Sequence, residues 1–334
     1  FNPFGFGARL LGSSDLLNFL VQIFGFSQFL SDILIRNPEY LDYLRAPDVL
    51  QRPKLLNHYR HEAAQALSVF EEAGRRRDAL CRYQRKELLR IGVRDLFGMG
   101  TLTELTAELS DLAEAIVDLA AEEALDRLTR RHGKPYPEND PSAESRFGIV
   151  AMGKLGGREL NFSSDIDLIF FYSEEGRTTG INGERYVSNH DFFTRVGEDI
   201  ISQLSRYDNE GFLYRVDVRL RPDGETGPLV RSLAGMETYY LTQARSWERL
   251  AMTKARVIYG SEKIAKSFQM LADHFVYGQP LGSDLLAELA DLKSRIDDQV
   301  VQRGLAGRDV KRGVGGIREI EFIVGALQLL HGRT

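Results

Sequence analysis

Two aspartates, Asp165 and Asp167, stand two residues apart at the head of an apolar run, DIDLIFFY, which follows a glycine-rich turn. A carboxylate beside Ile, Leu and Phe loses hydration, an expensive loss unless something positive compensates. On a strand, both side chains would leave the same face and repel until one became neutral or a divalent cation sat between them. Mg²⁺ suits that arrangement, because it prefers oxygen ligands and takes one or two carboxylates together with waters and substrate phosphates.

The turn itself offers the other half of a reaction site. Gly153, Gly156 and Gly157 can bring backbone N–H groups close to a phosphate, since no Cβ blocks the approach, and Lys154 and Arg158 add positive charge there. Anion grip beside a metal platform is the layout of nucleotidyl or phosphoryl transfer. Taken singly, a D-x-D is more often an exposed edge and a glycine run more often a plain turn. Strand, glycine turn and D-x-D in that order within 26 residues, Phe147 to Tyr172, are what point to chemistry.

The elements that must position these groups fall in blocks. From Ser14 to His132 the periodicity is helical; Leu109, Leu112, Ile116, Leu119 and Ala120 recur at three- and four-residue steps and stop near Gly133. An N-terminal helical domain over 1–133 is expected, then a linker over 134–146, where KPYPENDPSAES gathers Pro, Ser and charge. FGIVAMG and DIDLIFFY read as strands of a catalytic domain over 147–282. Within it, Ser188 and Asp191 have the spacing of a helix N-terminus, Phe192, Val196, Ile200 and Leu204 form one stripe, and Gly211 is the expected stop.

FLYRVDVRLRP alternates, with Phe212, Tyr214, Val216, Val218 and Leu220 on one face and Arg215, Asp217, Arg219 and Arg221 on the other, which predicts a full strand. A long helix is expected over TYYLTQARSWERLAMTKARVIYG, with Trp247 as core, and a helical region over 283–334 interrupted by KRGVGGIRE. Gly325 falls inside that last helix, where it costs up to about 1 kcal/mol relative to Ala. The fold class expected is α+β: a mixed sheet flanked by helical domains.

Composition excludes several alternatives. The chain has 334 residues, 43% hydrophobic and 27% charged, ordinary for a globular protein with two or three domains. A net charge of -5 gives no bulk attraction to nucleic acid or anionic membrane, and the aromatic-rich opening is broken by polar residues before it could span a bilayer. Cys81 is the single cysteine, which rules out an internal disulfide and suits a reducing, cytoplasmic setting; scattered histidines, His58 and His61 included, read as polar surface rather than a zinc site. With no initiating Met, the chain reads as part of something longer.

MGKLGGRELNFSSDIDLIF resembles the nucleotidyltransferase superfamily related to DNA polymerase β, with Gly153 and Lys154 at the Gly-Ser position and ten residues between Lys154 and Asp165. Together with RVDVRLRPDG, SWERLAMTKAR and VKRGVGGIREIEF, the segment is more closely similar to the bifunctional glutamine synthetase adenylyltransferase/adenylyl-removing enzymes, in which Gly-Lys-Leu-Gly-Gly is the usual form. The likeness runs from about Asp32 to the C-terminus. ELNFSSD and GGIREIEF resemble the N-terminal, adenylyl-removing half.

The resemblance implies that Asp165 and Asp167 bind the metal, that Asp217 supplies the third carboxylate, and that Arg219, Arg221, Lys254 and Arg256 are the supply of cations for phosphates. It implies deadenylylation of glutamine synthetase, with phosphate as co-substrate and ADP as product, and the PII signal protein as a further candidate partner. AMP transfer from ATP, the reverse direction, and a docking module without turnover stay open at this point. An ion pair of Asp217 with Arg215 or Arg219 is the ordinary alternative for that carboxylate, and Arg318, Glu319 and Glu321 read equally well as a structural network.

Overall fold

The computed structural model describes residues 14–140, 142–181, 186–207, 210–278, 294, 309–311, 313 and 315–332. Contacts divide the chain into two units, Phe1–Ala124 with Arg158–Asp165 and Asp199–Val216, and Leu125–Gly157 with Ile166–Glu198 and Asp217–Thr334. Most of the region expected over 283–334 lies outside the described residues.

The first unit is built from α1 (Ser14–Phe26), α2 (Gln28–Arg36), α3 (Tyr40–Leu44), α4 (Leu56–Ser68), α5 (Ala73–Leu96) and much of α6 (Leu102–His132). The predicted stripe of α6 is buried at Leu109, Leu112, Ile116 and Ala120, and Gly133, at φ +76°, ends the helix by donating its N–H to Thr129 O. Burial on α6 extends beyond the stripe, to Glu108, Asp111, Glu114 and Asp118. Glu108 accepts from Tyr59 Oη at 3.1 Å, from the Lys54 amide at 2.8 Å and from the buried guanidinium groups of Arg90 and Arg94. Arg90 also donates to buried Glu87 at 2.7 Å, so each charge of this cluster has an opposite partner, the condition under which such groups can leave water.

The second unit holds β1 (Pro135–Pro137), β2 (Phe147–Met152), the one-turn helix α7 (Gly153–Gly156), β3 (Ile166–Tyr172), β4 (Gly176–Thr178) and the start of α8 (Asn189–Ser205). After β5 (Val216–Asp217) come β6 (Val230–Ser232), α9 (Leu233–Thr242), α10 (Ser246–Met252), β7 (Arg256–Tyr259), α11 (Glu262–Tyr277) and α12 (Ile317–His331). Five strands make a mixed sheet ordered β5-β3-β2-β7, with β6 parallel to β3 and β2 antiparallel to both neighbours. All six residues of β2 are buried, which explains its unbroken apolar sequence. Val150, Met152, Ile169 and Phe171 share a core with Met236, Tyr240, Phe268 and Leu329, and Trp247 packs against it.

Several sequence expectations change. The strand predicted over Phe212–Leu220 shrinks to β5: the amides of Leu213 and Tyr214 donate back to Leu204 O, and Asp217 Oδ1 captures the Arg219 amide at 2.9 Å, diverting both ends from a ladder. The long helix after it becomes α9, α10 and β7, because the Glu248 side chain accepts the Arg245 amide and starts a new helix, while Val257 and Ile258 join the sheet beside β2. Helix α8 opens as expected, with Ser188 Oγ accepting from the Asp191 amide at 3.0 Å, but ends at Ser205 rather than Gly211. Part of the expected linker is paired structure, β1 with β4. Gly325 acquires a reason: a Cβ there would lie 2.8 Å from Leu250 Cδ2, so the missing side chain lets α12 approach α10.

Candidate active site

In the second unit the glycine turn grows directly from β2. Gly153 takes φ +55°, a conformation that excludes most side chains, and a Cβ on it would stand 2.7 Å from Asp167 Oδ2. Asp167 is the register partner of Met152, so strand pairing delivers its carboxylate to the first residue of the turn. Gly156 is closed in by backbone: a Cβ would meet Lys254 O at 2.0 Å and Ala151 O at 2.6 Å. Arg256 holds the turn from β7, with Nε donating to Gly156 O at 3.2 Å and Nη2 to Leu155 O at 3.3 Å. The Gly157 amide closes it by donating to Gly153 O at 3.1 Å. Lys154 is half-buried within the same turn.

Asp217 lies on β5, the neighbour of β3. Arg219 grips it: Nε is 3.0 Å from each carboxylate oxygen and Nη2 is 2.5 Å from Oδ2. Those guanidinium hydrogen bonds hold the Asp217 carboxyl below the usual range, against the opposing effect of burial. The charge of Asp167 also acts on Arg219. Arg221 turns the other way, donating to the carbonyls of Val218, Glu225, Gly227 and Pro228, and so shapes the loop that begins at Pro222.

The remaining expected residues belong to the first unit. Arg158, at φ +58°, pairs with buried Asp111 on α6, at 2.8 Å and 3.0 Å to its two oxygens. The Leu160 amide donates to Ser110 Oγ at 3.2 Å, which ties the same segment to α6. Asp165 precedes β3 rather than lying on it, and its Oδ1 takes Arg215 Nε at 2.5 Å; Arg215 Nη2 donates to Ser163 O at 3.0 Å.

The structure therefore groups Gly153, Gly156, Asp167, Lys254 and Arg256 about one turn, sets Asp217 with Arg219, and engages Arg158, Arg221 and Arg256 with protein partners. Sequence reasoning missed Asp111 and the pairing of Arg215 with Asp165. Asp111, Glu114 and Asp118 recur at three- and four-residue spacing within an apolar helix, a signal of carboxylates turned inward. Of the two ion-pair partners expected for Asp217, Arg219 takes the place, while Arg215 pairs with Asp165 instead.

Among the described residues no three His, Cys, Asp or Glu side chains converge in a way that could hold a metal ion by themselves. What the second unit presents is Asp167 against the Gly153 turn, with Asp217 on the strand next to β3. Oxygen-only donors of that kind suit a hard cation whose remaining ligands are water and phosphate. No helix among the described residues is long and apolar enough to cross a membrane.

Comparison with known proteins gives this geometry a lineage. Residues 287–334 match the family described as PII-uridylyltransferase. Over 315 residues the chain is 40% identical to the bifunctional glutamine synthetase adenylyltransferase/adenylyl-removing enzyme of Thioalkalivibrio sulfidiphilus (strain HL-EbGR7), covering 93% of this chain and 31% of that relative. The chain thus spans about a third of the length of that relative. Residues 17–271, which contain the glycine turn, the D-x-D and Asp217, match the glutamate-ammonia ligase adenylyltransferase model, and the chain belongs to that family.

Proposed function

We propose that this chain catalyses removal of AMP from adenylylated glutamine synthetase by phosphorolysis. A phosphate oxygen bonds to the AMP phosphorus, the bond from phosphorus to the tyrosine oxygen breaks, that oxygen takes a proton, and ADP leaves. The observation that carries the reading is Asp167 seated on the Gly153 turn with Asp217 on the adjacent strand, within a segment of this family. The likeness of ELNFSSD and GGIREIEF to the adenylyl-removing half supports this direction.

Asp167 and Asp217 are assigned the carboxylate roles within the second unit, and Asp165 takes one by its likeness to the family's metal-binding pair; Mg²⁺ is a cation that carboxylate oxygens would suit, and when bound it would neutralise phosphate charge. The chain's own contribution is placement. Phosphate is already a nucleophile, so the turn at Gly153–Gly157 and Lys154 serve to orient it and the AMP phosphate. Arg256 holds that turn in shape, and the Lys254 carbonyl packs against Gly156. Arg219, which grips Asp217, is the guanidinium assigned to phosphate.

The test is to incubate the chain with adenylylated glutamine synthetase, Mg²⁺ and labelled phosphate. Label in ADP, lost in Asp167→Asn, is the expected result. AMP transfer from ATP to unmodified glutamine synthetase, with no label in ADP, would reverse the direction; silence in both assays would leave a docking module.

A further inference from the structure

Both oxygens of Asp217 are engaged by a single side chain. Arg219 contributes Nε to each, Nη2 to Oδ2 and its own amide to Oδ1 at 2.9 Å. The two partners differ in freedom: the Asp217 side chain is 17% exposed on a paired strand, whereas Arg219 is 66% exposed just beyond the strand's end. Asp167 adds its field to the same guanidinium. One exposed guanidinium thus compensates Asp217, a carboxylate that the proposed function assigns to a divalent ion.

Resting on that assignment, we infer that Arg219 is an internal stand-in for the divalent cation: it neutralises Asp217 until a cation binds, then releases the carboxylate and turns to the substrate phosphate. The physical basis is competition for the same oxygens. A guanidinium that is mostly in solvent forms a weak pair and is regained by water at little cost. A divalent ion takes the carboxylate oxygens directly, and two cations cannot share them without repulsion. Competition is reciprocal, so removing the guanidinium must raise affinity for the metal. Chain geometry favours the exchange, because the anchor stays on the sheet while only an exposed side chain has to rotate.

The experiment titrates the full chain with Mn²⁺ alone, reading free Mn²⁺ by electron paramagnetic resonance, with no nucleotide or glutamine synthetase present. Wild type, Arg219→Gln, Asp217→Asn and the double variant are compared, each first shown to melt cooperatively. Arg219→Gln should tighten Mn²⁺ binding about threefold to fivefold, the effect expected for loss of a largely exposed pair, and Asp217→Asn should cancel the gain. Binding that depends on Asp217 but is unchanged or weaker in Arg219→Gln overturns this inference and leaves the cation assignment standing. Mn²⁺ binding indifferent to both Asp167→Asn and Asp217→Asn overturns the cation assignment and the inference together.

Discussion

Gly153 lies against the carboxylate of Asp167, with 2.7 Å between the place its Cβ would occupy and Oδ2. That contact joins the two halves of the motif, the phosphate turn and the acidic strand, through an atom that is missing. Gly153→Ala should therefore act twice, by straining a left-handed backbone at a cost of about 1–2 kcal/mol and by pushing Asp167 aside. The expected outcome is a fall in turnover on the order of 10²-fold with a modest loss of melting temperature, read from steady-state kinetics and a thermal melt on the same sample.

Asp167→Asn and Asp165→Asn separate chemistry from folding. Asp165 is exposed and its pair with Arg215 sits in water, so its loss costs the fold little. Each variant should keep or slightly raise the melting temperature while losing phosphorolysis by at least on the order of a hundredfold. A variant with wild-type turnover would remove its carboxylate from the cation assignment.

Arg256 distinguishes a clamp from a phosphate ligand. A phosphate-binding arginine replaced by lysine keeps its charge and much of its function; a fork that holds the carbonyls of Gly156 and Leu155 does not. Arg256→Lys is expected to resemble Arg256→Met, with stability down by about 1–2 kcal/mol in denaturant unfolding and with turnover, rather than the Michaelis constant for phosphate, carrying the loss.

Legibility in the sequence followed burial and regular pairing. The stripe of α6, the Ser188 start of α8 and the β2–β3 pair were readable because one residue period governs each. Asp217 and the segment around it were not: side-chain capture of the Arg219 amide ended a strand that alternation alone would have continued. The break between α9 and α10 was hidden for a related reason, since the Glu248 cap is visible only once Arg245 leaves the helix. Among the expected cations, type and spacing located Arg158, Arg221 and Arg256 but could not tell which oxygens they meet, as carbonyls and buried carboxylates attract a guanidinium as a phosphate does.

Asp118 gives a pH dependence. Burial, reinforced by Glu114 and outweighing the Arg60 guanidinium, pushes its carboxyl from 3.8 up to about 7. A raised folded-state value means the folded chain holds the proton more tightly than the unfolded one. This contribution is complete below about pH 4 and is lost as pH rises through about 7. Asp118→Asn, neutral throughout, should flatten the stability profile over that window and melt higher than wild type at pH 8.

Glu108 is shared by Arg90, Arg94, Tyr59 and the Lys54 amide, and Arg90 and Arg94 are almost wholly buried. Glu108→Gln leaves those guanidinium groups short of a charge that water cannot replace. A loss of about 3–5 kcal/mol in chemical denaturation is expected, against near-zero change for an exposed pair such as Arg75 with Glu72.

The burial of every residue in β2 has a dynamic consequence. It pairs with β3 along its whole length and with β7 from Ile149 to Ala151, and every residue is buried, so hydrogen exchange there should require the largest opening of the second unit rather than local fraying. Met152 ends that strand and Gly153 begins the turn, which means the turn is mounted on the slowest-exchanging segment of the sheet. Breathing at the exposed ends of α12 or the loop after β5 can then proceed without disturbing the backbone on which Asp167 rests.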